Sequence, residues 1–424
     1  MIVVEFFSAI SQDIFLYLAA LGVAIAINLG SMKIFLGKMI NGLLTMQISN
    51  IFNSSIIIFL IFENRISPYR VIQFWAYLLF ASALALVTYA KIVRNGNRIL
   101  DILSRLNPKL LIGIIAGGIF INITIAVMFV LNFNGSRIEY MTQGWYSLLR
   151  PILSISGMLG YFVIIFYFDI GRRRSAYILG ILLIISNILS GSKASFLLVI
   201  LNAYLIYRDM KKKKIGISKI RKVFVISALA IFAGFALLRL NVSVSDLAER
   251  FVRYGESTII AYSLGNPLEI GEDLSSLAKI HRGIARLFKD SSANNIETLF
   301  GFALSRVAYG AHNFTGPNAE IPSYMLCNYS GLGNIFGVLG ILIYYLTLNK
   351  FLNYIIDKKY FKYRIIAVPF LVSSINTFIQ DYYQGMSDLT TILVFMLFVY
   401  LLDMVYVGAK NKIAIVRDVA LGGI

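Results

Sequence analysis

Runs of about twenty apolar residues recur along the chain and are separated by polar stretches. Each run is long enough to cross the roughly 30 Å hydrocarbon core of a bilayer. Backbone amides in lipid must be hydrogen-bonded internally, so the continuous runs predict helices rather than the alternating strands of a barrel. The predicted spans cover residues 14–29, 40–62, 71–91, 110–131, 151–170, 176–189, 196–207, 223–240, 332–348, 365–379 and 389–407.

The composition agrees with this pattern. Hydrophobic residues make up 58% of the chain, charged residues 14%, and the mean hydropathy is +0.77. A soluble domain carries about a quarter charged residues. We therefore predict an all-α polytopic integral membrane protein with about eleven transmembrane helices. Residues 1–240 hold helices 1–8, residues 241–330 form one large extracytoplasmic loop with short amphipathic helices, and residues 331–424 hold the last three helices and a cytoplasmic C-terminus.

The net charge of +18 is interpreted as a topology signal. Lys and Arg gather in alternate short loops, and the densest loop, residues 208–222, holds eight of them. Cytoplasmic loops carry such an excess, so these loops are predicted to lie inside and the N-terminus outside. Nucleic acid is accordingly not expected as a partner.

The segment of residues 241–330 is the only long polar interval, and it breaks the positive-inside pattern. It holds both histidines, His281 and His312. Its basic residues are Arg250, Arg253, Lys279, Arg282, Arg286, Lys289 and Arg306. Long loops translocate regardless of charge, so a solvated loop is one interpretation and a binding surface for anions is the other.

Two helices are predicted within this segment. Ser243 and Asp246 fit a capping box, after which Arg250 and Arg253 share one helix face, where they either bind an anion or pair with Glu249.

The second helix spans residues 273–288. There Lys279, Arg282, Arg286 and Lys289 follow spacings of 3, 4 and 3. Such a basic face either meets headgroup phosphates or belongs to an amphipathic helix packed on the protein, and His281 beside it is expected at the surface.

Lys193 stands in the turn SGSKAS between two short apolar segments. An ionisable residue at this depth is costly and is a functional candidate, unless it snorkels to the interface. Arg239, at the outer end of the eighth predicted span, has the same two interpretations.

The stretch AYGAHNFTGPNAEIPSY, residues 308–324, holds the candidate catalytic groups. Its glycines and prolines preclude a long helix, so it presents polar groups on a constrained backbone. His312 and Glu320 are candidate catalytic residues, with Asn313 and Asn318 beside them. The alternative role of His312 is to brace the loop, and that of Glu320 is to cap the next helix.

Cofactor chemistry finds no support in the sequence. The single cysteine, Cys327, permits no internal disulfide or cysteine metal cluster and is expected to be a small buried residue. Walker, HExxH, GxSxG and DxD patterns are absent, so neither a metal nor another cofactor is predicted.

The chain resembles the Wzy-type polymerases of O-antigen and other polysaccharides, which are related to the O-antigen ligases. The resemblance rests on the predicted topology and on short motifs. These are Gly191-Ser192-Lys193, with Lys where the family carries Arg, then Gly316-Pro317-Asn318, Ser330-Gly331-Leu332-Gly333 and Ala311-His312-Asn313.

The resemblance implies a GT-C-like glycosyltransferase of the bacterial inner membrane with its site facing the periplasm. Such an enzyme polymerises oligosaccharide repeat units linked to undecaprenyl diphosphate and works with membrane lipids and a chain-length regulator protein. In that case diphosphate or sugar would be held without a metal by Lys193, Arg239, Arg250, Arg253, Arg306, Asn313 and Asn318. The alternatives are an O-antigen ligase and a transporter or flippase, the latter expected to show inverted repeats.

Overall fold

The computed structural model describes residues 2–132, 145–189, 195–212, 255–294, 300–310, 318–357 and 361–421. Every regular element in these ranges is helical, as predicted. The helices are α1 (Ile2–Gln12), α2 (Ile14–Leu36), α3 (Leu44–Phe62), α4 (Pro68–Arg94), α5 (Gly96–Ser104), α6 (Pro108–Asn132), α7 (Trp145–Asp169), α8 (Arg173–Leu189), α9 (Ser195–Lys211), α10 (Glu256–Ser263), α11 (Ser276–Leu287), α12 (Ser291–Asn294), α13 (Phe300–Tyr309), α14 (Ile321–Asn328), α15 (Asn334–Ile356), α16 (Ala367–Gln380) and α17 (Tyr382–Leu421). Short 3-10 turns lie at Pro267–Gly271, Gly331–Gly333 and Lys362–Ile366.

Six helical stretches in the described ranges are long and apolar enough to cross a membrane, which agrees with the predicted polytopic membrane protein. They are Ile14–Leu36, Leu44–Phe62, Pro68–Arg94, Pro108–Ile125, Gly331–Ile356 and Tyr382–Met404. The predicted span at residues 151–170 corresponds to the shorter apolar stretch Ile155–Asp169. The total of eleven spans stays a prediction, because the span at residues 223–240 lies outside the described ranges.

Three of the predicted spans form shorter helices. Helices α8 and α9 have 17 residues each, and α16 has 14. At 1.5 Å per residue α16 is about 21 Å long, which is less than the thickness of the hydrocarbon core. It ends at Gln380, and α17 begins at Tyr382 after the single residue Asp381. The hairpin is tight because Gly385 lies against Phe378, where an added Cβ would come within 2.5 Å of the Phe378 Cα.

The chain also forms a helix that the sequence pattern did not predict. Helix α1 ends at Gln12, and Asp13 then caps α2 by accepting a hydrogen bond from the backbone N–H of Leu16 at 3.2 Å. Phe6 of α1 packs edge-on against Phe59 of α3, with ring centroids 5.6 Å apart. The chain therefore enters its first long span through a separate helix that packs on α3.

The described part of the predicted extracytoplasmic loop folds into the helical bundle. All eight residues of α14 are buried, and so are six of the eight residues of α10. Arg70, near the start of α4, donates hydrogen bonds to the carbonyl oxygens of Tyr262, Leu264 and Gly265. A cation at these carbonyls satisfies the C-terminal end of α10. The segment is thus anchored in the bundle at this end.

Candidate active site

Helix α3 carries buried polar residues from its first turn to past its middle. Six polar residues lie between positions 47 and 55, and all of them are buried although the helix is a candidate membrane span. They are Gln47, Ser49, Asn50, Asn53, Ser54 and Ser55. A polar group buried in such a helix is stable only where it finds a hydrogen-bonding partner. The partners lie on several sides of α3: Asn28 of α2 donates to Ser54, Asn50 donates to Ser82 of α4, and Ser49 donates to Glu320.

Glu320 is the acidic partner of two of these residues, Ser49 and Asn53. Its side chain is buried, and its Oε2 accepts a 2.7 Å hydrogen bond from the Ser257 hydroxyl. Ser49 of α3 donates to Oε1 at 3.3 Å, and the Asn53 side chain also hydrogen-bonds to the carboxyl group. Within the described ranges, the side-chain hydrogen bonds recorded for this carboxyl group come from hydroxyl and amide groups.

Thr258 completes the polar cluster, which consists of Glu320, Ser49, Asn53, Ser257 and Thr258. Its hydroxyl oxygen lies 2.7 Å from Asn53 Oδ1 and 3.3 Å from Oε2 of Glu320. A hydroxyl has a single proton, so Thr258 donates either to Asn53 or to Glu320 at one time, and the contact with Asn53 is the shorter. Donation to Glu320 favours the carboxylate form.

Burial sets the acidity of Glu320, which belongs to the segment between spans. Loss of water raises the pKa of its carboxyl group to about 7, although hydrogen bonds from Ser257, Asn53, Thr258 and Ser49 lower it. Burial disfavours the charged form of a carboxyl group, and the donors recover only part of that cost. A group whose pKa lies near neutrality can both accept and release a proton at physiological pH.

Glu320 does not cap the following helix with its side chain, which was the alternative role predicted from sequence. It occupies the position before α14, but the carboxyl group makes no capping hydrogen bond there. The first turn of α14 is instead closed by the backbone carbonyl of Glu320, which accepts from the Tyr324 N–H at 2.8 Å. The carboxyl group is thus left for the polar cluster.

Close backbone approaches fix the elements that carry the cluster. Gly255 precedes α10 and lies on Ile56 of α3, where an added Cβ would come within 2.1 Å of the Ile56 Cδ1. On the other side, the carbonyl of Ala319 accepts a 2.7 Å hydrogen bond from the backbone N–H of Tyr382. This places residue 319 at the turn between α16 and α17. Glu320 is therefore held between α3, α10 and that turn.

An aromatic layer lies next to the cluster. The rings of Tyr324 and Tyr382 stack with centroids 4.5 Å apart. Their hydroxyl groups donate to the carbonyls of Lys279 at 2.6 Å and Ile280 at 2.9 Å, both in α11. Tyrosines hydrogen-bond well in such half-polar positions because the ring packs while the hydroxyl finds an acceptor. Helix α11 is thereby attached to the face of α14 and α17.

Helix α11 departs from the predicted continuous helix because it breaks at His281, whose φ and ψ are −152° and 93°. The His281 Nδ1 accepts from the backbone N–H of Ile284 at 3.2 Å, which caps the second half of the helix. The other ring nitrogen, Nε2, then carries the proton and donates to the Thr390 hydroxyl at 2.7 Å. The expectation of a surface histidine was wrong: His281 is buried, and burial lowers its pKa.

The single basic face predicted for this helix is also wrong in its geometry. Arg282 is only 6% exposed and lies over the ring of Tyr383, 5.9 Å from its centroid. Lys289 follows the end of the helix with a φ of 58°, so it does not continue the face, and Lys279 is half-buried. The side chain of Arg286 is not described. The exposed residues of α11 include the apolar Leu277, Ile280 and Ile284. Contact of the basic residues with lipid headgroups stays a prediction.

The structure places three further predicted residues. Arg306, in α13, is partly exposed, and its guanidinium lies 3.9 Å from the carboxylate of Asp273. Asn318 is exposed, and its carbonyl accepts from the N–H of Glu320. Cys327 is fully buried, as predicted. The predicted residues outside the described ranges are Lys193, Arg239, Ser243, Asp246, Arg250, Arg253, His312 and Asn313.

The sequence interpretation missed Ser49, Asn53, Ser257 and Thr258. The signal for the first two was present, since QISNIFNSS is too polar for an ordinary lipid-facing span. Ser257 and Thr258 gave no comparable signal, because hydroxyl residues in a long polar segment are unremarkable. Across the described ranges, no group of three or more His, Cys, Asp or Glu residues could hold a metal ion. Comparisons with protein families, with curated proteins and with solved structures find no match for this chain.

Proposed function

We propose that the protein is a lipid-linked oligosaccharide polymerase in which Glu320 is the general base. The supporting observation is the carboxyl group of Glu320, buried among hydroxyl and amide groups with a pKa of about 7. A general base works best when its pKa lies near the operating pH. The proposed location is the bacterial inner membrane, with the site reached from the periplasm.

In the proposed reaction a sugar hydroxyl of one lipid-linked repeat unit attacks the anomeric carbon of a glycan on undecaprenyl diphosphate. The hydroxyl proton passes to Glu320, the new glycosidic C–O bond forms, and the bond to the diphosphate oxygen breaks. Undecaprenyl diphosphate leaves with the bonding electrons. Glu320 then releases its proton to water, for which a pKa near 7 is suited.

The leaving diphosphate requires cations, and the basic residues of the 241–330 segment are the candidates. Arg306 lies at the protein surface in this segment, next to Asp273. Arg250, Arg253, Lys193, Arg239 and His312 stay sequence-based candidates for the same role or for orienting the acceptor. Two further predictions also rest on the sequence alone: a chain-length regulator as the partner, and an O-antigen ligase as the alternative enzyme.

A transporter is the second candidate, and the same observation favours it. Glu320 contacts Ser49 and Asn53 in the first half of a membrane-spanning helix, and buried carboxyl groups at such positions are used as proton relays in transporters. A relay needs a proton gradient to drive transport. A glycosyltransferase needs none, because the diphosphate leaving group supplies the driving force.

The variant Glu320→Gln, assayed in purified protein, tests the proposal. The amide keeps the size of the side chain but cannot accept the proton, so polymer formation from lipid-linked repeat units should fall about 100- to 10,000-fold. Glu272→Gln is the matched control, since Glu272 is an exposed carboxylate of the same segment. The assay is run in detergent without a membrane gradient, with product length read on a gel.

Three results separate the candidates. Polymer made by the wild type and not by Glu320→Gln supports the enzyme and the base together. Normal polymer from Glu320→Gln removes Glu320 as the base. If wild-type protein makes no polymer in detergent but moves lipid-linked glycans across vesicles in a pH gradient, the transporter replaces the enzyme.

A further inference from the structure

A second polar site lies where helices α4 and α15 end and α5 begins, on the side of the protein that the positive-inside rule assigns to the cytoplasm. It is a pocket of about 430 Å³. The pocket is lined by Lys91, Asn95, Arg98, Asn353, Ile356 and Asp357. A phosphate ion would not fill a volume of this size, which falls in the range of small-molecule sites.

The position of the pocket relative to the membrane follows from the helices that form it. The candidate spans Pro68–Arg94 and Gly331–Ile356 both end at the pocket, and α5 begins there at Gly96. Helix α5 buries Ile99, Leu100 and Leu103. It therefore packs as an amphipathic helix directly after a membrane span. The pocket accordingly opens at the level where lipid headgroups meet the protein.

The pocket has hydrogen-bond donors that lack acceptors. Arg98 has a buried Nε with no hydrogen-bond partner among the described residues. Lys91 forms no ion pair in the part of the chain that the structure describes. A buried guanidinium nitrogen without an acceptor is costly, so a bound oxyanion would satisfy it.

Electrostatics point to the same ligand class. Arg364 is buried, and burial lowers the pKa of its guanidinium. Asp403, Tyr354 and Asp357 raise that pKa, and the positive charge of Arg98 lowers it with the smallest of these effects. Arg98 thus lies within electrostatic range of a second buried cation. An anionic ligand next to Arg98 would add to the compensation that the two aspartates supply.

We propose that this pocket binds the phosphate group of a membrane lipid on the cytoplasmic leaflet. In this proposal Lys91 and Arg98 contact the phosphate oxygens. Asn95 and Asn353 line the same pocket, and the Asn95 amide also donates to the Lys91 carbonyl at 2.8 Å. Asp357, which also lines the pocket, is of the sign that suits a hydroxyl or ammonium group of the headgroup, which a bare phosphate lacks. Basic pockets between transmembrane helices on this side are a recurrent form of headgroup recognition.

The test uses the protein in detergent, with added phosphatidylglycerol, diacylglycerol, which has no phosphate group, or inorganic phosphate as probes. The readout is the thermal unfolding midpoint. It is monitored through the labelling of Cys327, which is the only cysteine in the sequence and is buried until the protein unfolds. Phosphatidylglycerol should raise the midpoint at low concentration. The double variant K91Q/R98Q should need about 10- to 100-fold more lipid for the same shift, because two charged hydrogen-bond donors are lost.

Arg94→Gln is the matched control, because Arg94 is an exposed cation at the end of the same helix and is not part of the pocket lining. It should respond to lipid like the wild type. An equal response of K91Q/R98Q and wild type would overturn the proposal, and so would an equal response of the wild type to diacylglycerol and to phosphatidylglycerol. If inorganic phosphate gives the full shift at the same concentration as lipid, the ligand is a free anion and the lipid assignment is wrong. If K91Q/R98Q does not fold, the responses of the wild type to the three probes still test whether the pocket binds a lipid phosphate.

Discussion

Two buried carboxyl groups in this protein have opposite surroundings. Asp209, at the end of α9, is 1% exposed and lies 3.0 Å from the Lys38 ammonium and 3.2 Å from the Arg208 guanidinium. Its other oxygen accepts from the Tyr89 hydroxyl at 2.7 Å and from the Gly42 N–H at 3.0 Å. Glu320, in contrast, is surrounded within the described ranges by hydroxyl and amide donors.

The difference separates a structural role from a chemical one. The Lys38 and Arg208 cations pair with Asp209, and these contacts fasten the segment before α3 to the end of α9. Neutral donors around Glu320 leave much of the cost of burial uncompensated, and so its pKa rises to about 7. A carboxyl group that is paired with cations holds segments together, whereas one that titrates near neutrality can exchange protons.

Removing the charge of Asp209 tests its structural role, and this change has the largest expected effect on stability. Asp209→Asn leaves two cations facing an amide and should cost about 3 kcal/mol of unfolding free energy. The value lies at the lower end for buried ion pairs because the Lys38 side chain is 42% exposed and screened by water. The measurement is unfolding in denaturant, monitored through the labelling of Cys327.

The control for this experiment is Asp101→Asn. Asp101 pairs with Arg105 on one exposed helix turn, with side chains 55% and 66% exposed, so its loss should change stability little. Polymer formation per folded molecule should be unchanged in Asp209→Asn. A stable Asp209→Asn protein without activity would transfer the chemical role to Asp209 and contradict the comparison.

The sequence predicted the helical class and six of the spans from apolar runs alone, because such runs depend only on local composition. It did not predict the contact of Glu320, the residue before α14, with Ser49 of α3, because these residues are far apart in the chain. The break at His281 also escaped prediction. The His281 side chain binds Thr390 far along the chain, and helical spacing carries no information about such a contact.

The pH dependence of the unfolding free energy tests whether Glu320 titrates near neutrality. Its folded-state pKa of about 7 lies above the ordinary value of 4.5, so the folded protein binds more protons between these values. Stability should therefore be highest below about pH 4.5 for this group and should fall as the pH rises toward 7. Between pH 5 and 8 the loss should be about 2 kcal/mol.

Glu320→Gln removes this titration, so the difference in unfolding midpoint between pH 5 and pH 8 should shrink in that variant. Both proteins are unfolded at each pH and then labelled at Cys327 at one common pH, which keeps the dye chemistry constant. Glu272→Gln, which removes an exposed carboxylate, should retain the wild-type difference. An identical pH response of wild type and Glu320→Gln would show that Glu320 is already ionised at pH 5.

The hydroxyl of Ser257 tunes the acidity of Glu320 and gives the smallest expected effect. It donates the shortest recorded hydrogen bond to the carboxyl group, at 2.7 Å, and this bond lowers the pKa of Glu320. Ser257→Ala should raise that pKa above 7 and move the rising limb of the pH–rate profile to higher pH by about half a unit to one unit. The rate at pH 7 should then fall about 2- to 5-fold and recover at higher pH.

Ser323→Ala is the matched control for Ser257→Ala. Ser323 is equally buried and lies 3.1 Å from Thr258, so it belongs to the same neighbourhood, but its recorded hydrogen bond is not to Glu320. Its removal should leave the pH–rate profile in place. A loss of rate that is the same at every pH would mean that Ser257→Ala disturbs packing rather than acidity. A shifted profile in Ser257→Ala alone would tie the pH dependence of the reaction to Glu320, because the variant changes the donor to that carboxyl group and leaves the carboxyl group itself intact.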